Sequence, residues 1–253
     1  MYGKRGQITV FIIVGLLILI SAGMYLLVQM GILEEELAME QFSVFSGTQV
    51  GGQVQTFVEK CVRKTGENAL VFIGEHGGYY QLPVVYELDM KLPYYFFRNK
   101  SKFISKKEME KQLGMYMDKE LSFCVQNFGN FIGHKITSDK PKTTVKIQKD
   151  QVAFKVKYPI TVVKGTISKQ LNYFEVKIKS RLFTIHDLIN KFMIDQVQNP
   201  GSVCLSCLTK LAIKNNLRVE LGPAGNLTLF TIIDEKVKIK KKDYEFEFVN
   251  HYG

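Results

Sequence analysis

From Gly6 to Leu33 the chain carries no charged residue, and Ile8 to Met30 is almost continuously apolar. A helix needs about 20 such residues to cross a bilayer. The stretch therefore predicts one membrane-spanning helix near the front of the chain. Lys4 and Arg5 lie before it, and Glu34, Glu35 and Glu36 lie after it. Basic residues near a helix end stay cytoplasmic. The expected topology is a single-pass protein of the cell membrane, with its N-terminus cytoplasmic and its C-terminal domain extracellular. A cleaved secretory signal would have a shorter apolar core. Ser21-Ala22-Gly23 offers a weak cleavage site, but the apolar run continues beyond it. Good helix formers after Glu34 extend the helix into a stem. Gly47, Gly51 and Gly52 end it. Gly15 and Gly23 lie eight apart on the apolar helix, a spacing that permits close helix–helix approach and self-association in lipid.

Downstream the pattern becomes that of a folded domain. Residues 53–73 carry Val54, Phe57, Val58, Cys61, Ala69 and Phe72 at helical spacing. Gly77 and Gly78 mark a turn. Residues 79–82 and 84–88 read as short extended pieces, with Pro83 and Pro93 placing them at an edge. Ser105 and Glu108 form a capping-box pattern that opens a helix over 106–128, with Met109, Leu113, Met117, Leu121 and Cys124 on its apolar stripe.

From residue 142 the period changes to two. Residues 144–148, 152–158 and 173–182 alternate apolar with polar, and Lys149-Asp150 joins the first two as a hairpin. Ten Lys or Arg fall in 142–181 against Asp150 and Glu175. The sheet should have one basic face. Helices are expected over 184–197 and 204–215. Three closing strands are expected at 217–221, 227–233 and 244–249, with 238–242 as a charged connection. The fold class is α+β: an N-terminal transmembrane helix with its stem, a helical region, then a basic antiparallel β-rich region. The predicted division is 1–6 as a leader peptide, 7–46 as helix and stem, and 53–253 as an exported domain, helical over 53–135 and β-rich over 142–253.

Four cysteines, Cys61, Cys124, Cys204 and Cys207, suit a disulfide-forming compartment. They allow three pairings. Cys61 and Cys124 both fall on buried helix faces, which favours Cys61–Cys124 and Cys204–Cys207, with free thiols as the alternative. Cys204-Leu-Ser-Cys207 at a helix start is the one redox-like motif, but Asn199-Pro-Gly-Ser202 precedes it where a thioredoxin-like site has a strand. One Cys-x-x-Cys makes a weak zinc pattern, and no metal or other cofactor is expected.

His76, His134, His186 and His251 show no metal or catalytic spacing, and no hydrolase, metalloprotease or phosphate-loop motif occurs. The chain is not expected to be an enzyme. Formal net charge is +10 and the isoelectric point is near 9.3. That balance fits an anionic partner. Lys146, Lys155, Lys157, Lys177 and Lys179 are the candidate polyanion contacts, with Tyr158 and Tyr173 as stacking surfaces. Alternating Lys on a strand also serves as a solvated face that blunts aggregation. No specific nucleic acid is implied. Asn99-Lys-Ser101 and Asn226-Leu-Thr228 are glycosylation sequons.

The residues Lys4-Arg5-Gly6, followed by Gln7-Ile8-Thr9-Val10, resemble the start of archaeal type IV prepilins. That resemblance implies cleavage between Gly6 and Gln7, a mature chain that keeps its apolar helix, and pilin-like subunits as partners. Type IV pilins usually carry Glu at the fifth mature position, a residue associated with filament assembly; here it is Phe11. Residues 57–61, 77–79, 92–95 and 110–113 with Cys124 are loosely similar to membrane-anchored archaeal surface proteins, a likeness that implies no activity. The leading expectation is a membrane-anchored structural or adhesive surface protein, a non-standard pilin-like subunit. The alternative is a membrane-tethered binding module for an anionic ligand, glycan or DNA. An exported thiol oxidoreductase is the third reading.

Overall fold

A computed structural model describes residues 13–22, 51–201, 203–224 and 227–252. Residues 1–53 and 54–253 form two compact units. The described residues of the first are 13–22, which form helix α1 with its apolar side chains Leu17 and Leu19 exposed, and 51–53. Among the described residues no helix is long and apolar enough to cross a membrane. This corrects the predicted transmembrane helix and, with it, the single-pass topology and the cell-membrane location. The remainder of the expected span and stem lies outside the described residues, as do the expected cleavage site, Gly6 and Gln7, and Gly23.

Two long helices begin the second region. Helix α2, Gly52–Glu75, buries Val54, Val58, Cys61, Val62, Ala69, Leu70 and Ile73 along one stripe. Gly77 and Gly78, both at positive φ, close it, and the Gly78 amide donates to the Ile73 carbonyl at 2.7 Å. Helix α3, Lys106–Val125, starts on Ser105, whose side chain accepts from the Glu108 amide. Its buried Met109, Leu113, Met117, Leu121 and Val125 recur every fourth residue. Cys61 and Cys124 are bonded, joining α2 to α3.

The first sheet has four strands: β4 Lys135–Ser138, β5 Lys142–Ile147, β6 Gln151–Lys164 and β7 Ile167–Lys179. Strand β6 is central, paired antiparallel with β4 and β5 and with β7. The register shifts between Lys157 and Ile160, where Pro159 sits. Proline has no amide to give a ladder, so a bulge is where a central strand tolerates it. Val152, Phe154, Val156, Phe174, Val176 and Ile178 form the buried face. Helix α2 packs on it at Gly66, where a Cβ would lie 2.8 Å from Ile178 Cδ1.

The second sheet runs β1-β2-β10-β9-β8, with β3 on β2. Its strands are β1 Tyr86–Glu87, β2 Leu92–Phe97, β3 Lys100–Ser101, β8 Arg218–Ala224, β9 Leu227–Ile239 and β10 Lys242–His251. It is not antiparallel throughout, because β2 and β10 pair in parallel. The helical and β-rich segments are thus interleaved. Tyr95 stacks on Phe248 at 4.6 Å, Phe248 stacks on Phe230 at 4.9 Å, and Phe192 of helix α4 (Leu182–Gln198) packs 5.3 Å from Phe230. A shorter helix, α5, spans Leu205–Lys214.

Of the extended pieces expected at 79–82 and 84–88, the first is irregular with a bend at 80–81, and the second forms a strand only at Tyr86–Glu87, after a bend at 84–85 and before a turn at 88. The Gln112 side chain accepts from the Tyr80 and Gln81 amides at 3.0 and 2.9 Å, and so occupies donors that a strand would have spent on a ladder.

Candidate anion-binding groove

Strict alternation in β5, β6 and β7 turns every second side chain outward. Register then sets them in rows across the sheet. Lys142, Lys157 and Tyr173 form one row, Thr144, Lys155 and Glu175 the next, and Lys146, Ala153 and Lys177 a third. The first two rows line an open groove of about 600 Å³. Tyr173 stands at one wall, 74% exposed. Val156 and Phe174 contribute to its floor.

The charges are not equivalent. Glu175 lies between Lys155, at 3.6 Å, and Lys177, at 3.8 Å. Lys146 reaches across to Glu110 of α3 at 3.2 Å, and the other oxygen of that carboxylate accepts from the Ile147 amide. Lys157 has no carboxylate or hydrogen-bond partner among the described residues, and neither does Lys179. Lys157 and Lys142 are direct cross-strand neighbours. Like charges so placed destabilise a sheet by a few tenths of a kcal/mol or more. Behind Lys142, burial pushes the Asp118 carboxyl above its ordinary value, against the opposing pull of Thr143 and the Lys142 ammonium. An anion in the groove would relieve the repulsion between the two lysines.

Of the five lysines expected to contact a polyanion, Lys155 and Lys157 line the groove. Lys155 shares Glu175 with Lys177, which lies outside the groove, Lys146 is paired with Glu110 of α3, and Lys179 lies at the far end of the strand. Lys142, absent from that set, completes the pair. Its signal in the sequence was weak, because the alternating pattern begins after it. Tyr158 is not a stacking surface. It is 3% exposed, on the core side with Val156 and Ile160, and its hydroxyl lies 3.4 Å from Ser138 Oγ.

The other predicted sites are dispersed. Asn99 is exposed at positive φ in the turn between β2 and β3; Asn226 lies outside the described residues. Gly15 is on α1, and a Cβ added there would meet nothing within 4 Å. Cys204 and Cys207 are bonded to one another, and Asp195 of α4 offers a carboxylate oxygen within 4.8 Å of both sulfurs. Among the described residues this is the one trio with metal-ligand spacing, and its two thiols are engaged in the disulfide.

Comparison with known proteins finds no matching family model, no matching curated protein and no matching solved structure.

Proposed function

We propose that the chain is a binding module for an anionic polymer that lies across the outward face of the four-stranded sheet. The observation that carries this is the Lys142–Lys157 pair, held opposite one another beside the exposed ring of Tyr173. A sheet keeps two facing ammonium groups at a cost, which a ligand's negative charge removes. Lys155, one row along and about 7 Å away by strand geometry, is paired with Glu175, so among the described residues the free positive charge of the groove is that of Lys142 and Lys157. Tyr173 supplies a flat apolar surface for a sugar or base ring. The paired cysteines suit a compartment in which disulfides persist.

The test is binding of a sulfated polysaccharide and of a single-stranded oligonucleotide at a series of salt concentrations. Affinity should fall linearly on a log–log plot, and Lys142→Gln or Lys157→Gln should each reduce the slope by about 0.7 for the oligonucleotide. Absence of binding to either polymer at low salt overturns the reading.

A structural or adhesive role is a second reading. The observation that favours it is the 13-residue strand β7, which pairs with β6 on one side and with no strand on the other among the described residues. An open edge of that length is a template for a further strand. Sedimentation of the purified chain across a concentration series tests for such self-association.

A further inference from the structure

We infer that Cys204 and Cys207 form an exchangeable disulfide that oxidises a dithiol substrate. The two disulfides of this chain differ in the length of chain they close and in where they sit on their helices. Cys61 is 3% exposed, and its bond with Cys124 joins two helices across 63 positions. Cys204 and Cys207 are both half-buried, as Cys124 is, but they lie three positions apart at the start of α5. The constraint a disulfide places on the unfolded chain grows with the loop it closes. The short bridge therefore does less for the fold than the long one.

Its surroundings favour thiol chemistry. Cys204 is the N-cap of α5, and its sulfur accepts from the Cys207 amide at 3.3 Å. That amide and the positive end of the helix stabilise a thiolate at Cys204. Asp195 projects from the preceding helix to within 4.8 Å of both sulfurs. Its negative charge opposes a thiolate at Cys204, against the pull of the helix end and the Cys207 amide, but the carboxylate can take up the proton that a substrate thiol must lose.

A substrate thiolate attacks Cys207 Sγ; a substrate–Cys207 bond forms, the Cys204–Cys207 bond breaks, and the electron pair leaves on Cys204 as thiolate. The substrate's second thiol gives its proton to Asp195, or through it to water. The resulting thiolate attacks its own sulfur partner in the mixed disulfide. The substrate leaves as a disulfide, oxidised by two electrons, and the Cys204 and Cys207 pair is left reduced by the same two. One proton returns to Cys207. A low-pKa leaving thiol speeds the first step.

The experiment uses the full chain in its oxidised form. It is incubated with graded dithiothreitol, alkylated with iodoacetamide, and mapped by mass spectrometry. Cys204 and Cys207 should be labelled at thiol concentrations at least about tenfold below those that label Cys61 and Cys124. In the selectively reduced protein, alkylation of Cys204 against pH should have its midpoint below the free-thiol value of about 8.5. Asp195→Asn should change the pH profile of the exchange rate and leave labelling of Cys61 unchanged. Equal resistance of the two disulfides, or an ordinary midpoint for Cys204, overturns the inference. A pH profile unaltered by Asp195→Asn overturns the part assigned to Asp195.

Discussion

Gly74 approaches the backbone of Glu245 so closely that a Cβ on the glycine would lie 2.2 Å from the Glu245 carbonyl oxygen. The reason lies in the pairing of β10. Strand β9 runs along one side of it for its whole length, but β2 reaches the other side only at Val249 and Asn250. The end of α2 fills the rest, and just past it a Cβ on Gly77 would lie 2.9 Å from the Glu247 carbonyl oxygen. The first sheet repeats the arrangement. Helix α3 lies against β5, and a Cβ on Gly114 would be 3.0 Å from the Thr143 carbonyl. In each sheet a glycine-bearing helix closes an edge that would otherwise be open to another strand.

Alanine at these glycines should therefore have graded effects. Gly74→Ala forces backbone against backbone and should lower unfolding stability by about 3 kcal/mol, at the upper end for overpacking. Gly114→Ala meets a milder approach and gains about 1 kcal/mol of helix propensity, so its net change should be within ~1 kcal/mol of zero. Urea denaturation of both variants checks the order. Equal losses would mean that the close approach at Gly74 is not what selects glycine.

The two disulfides should separate in the same measurement. The chain-entropy relation assigns about 4 kcal/mol to a loop of the size closed by Cys61–Cys124 and about 2 kcal/mol to that of Cys204–Cys207. Replacing both members of each pair with alanine should reproduce that ratio. A larger loss from the Cys204 and Cys207 pair would show that the short bridge is structural.

Local periods carried much of this fold in the sequence. The stripes of α2 and α3 and the alternation around Lys149-Asp150 need only neighbours three, four or two residues away, and each element formed where its pattern lies. What was hidden depended on distant partners. Strand β2 contains Pro93 and exists because β10 pairs with it in parallel. Residues 238–242 looked like a charged connection, yet β9 continues to Ile239 and β10 begins at Lys242. The turn between them uses Lys240 and Lys241, both at positive φ, in place of the Asn-Gly pair that signals such hairpins. The groove was half visible: alternation put Lys155 and Lys157 outward, but only the register of three strands brings Lys142 and Tyr173 beside them.

The facing lysines give a trade-off that a purely structural sheet would not show. Lys157→Thr removes the repulsion with Lys142 and places a good strand former on β6. Stability should rise by a few tenths of a kcal/mol, about 0.3, while polyanion affinity falls. Paired denaturation and binding curves decide this. A variant that loses stability and keeps its affinity would remove Lys157 from the site.

Acid sensitivity should arise in part at His186. Burial holds its imidazole below the ordinary value, with Lys106 adding to the effect and the Ile104 carbonyl and Asp187 opposing it. Nε2 lies 3.0 Å from the Ile104 oxygen and so carries the proton in the neutral ring. The unfolded chain takes up a second proton near pH 6.5, whereas the folded chain resists it until lower pH. The contribution is therefore complete above about pH 6.5 and declines as pH falls through the lowered folded value. His186→Gln, whose amide can donate to Ile104, should flatten melting temperature against pH in that window. An unchanged slope would place the acid sensitivity elsewhere.

The largest single loss is expected at Arg181. Its guanidinium donates to Asp234 at 2.7 Å and also to the carbonyls of Asn215 and Asn216, which end α5. The Asp234 side chain is fully buried; its Oδ1 also accepts from the Lys236 amide at 3.1 Å, and its Oδ2 has no hydrogen-bond partner among the described residues. Arg181→Met leaves that carboxylate uncompensated and the two carbonyls without their donor, which should cost about 3–5 kcal/mol. The double variant Arg181→Met with Asp234→Leu removes the orphaned charge as well. It should recover much of the loss, because replacing a whole buried ion pair by apolar groups is often near neutral. Four denaturation curves complete the cycle. Additive losses would show that the two residues act separately, with Arg181 serving α5 alone.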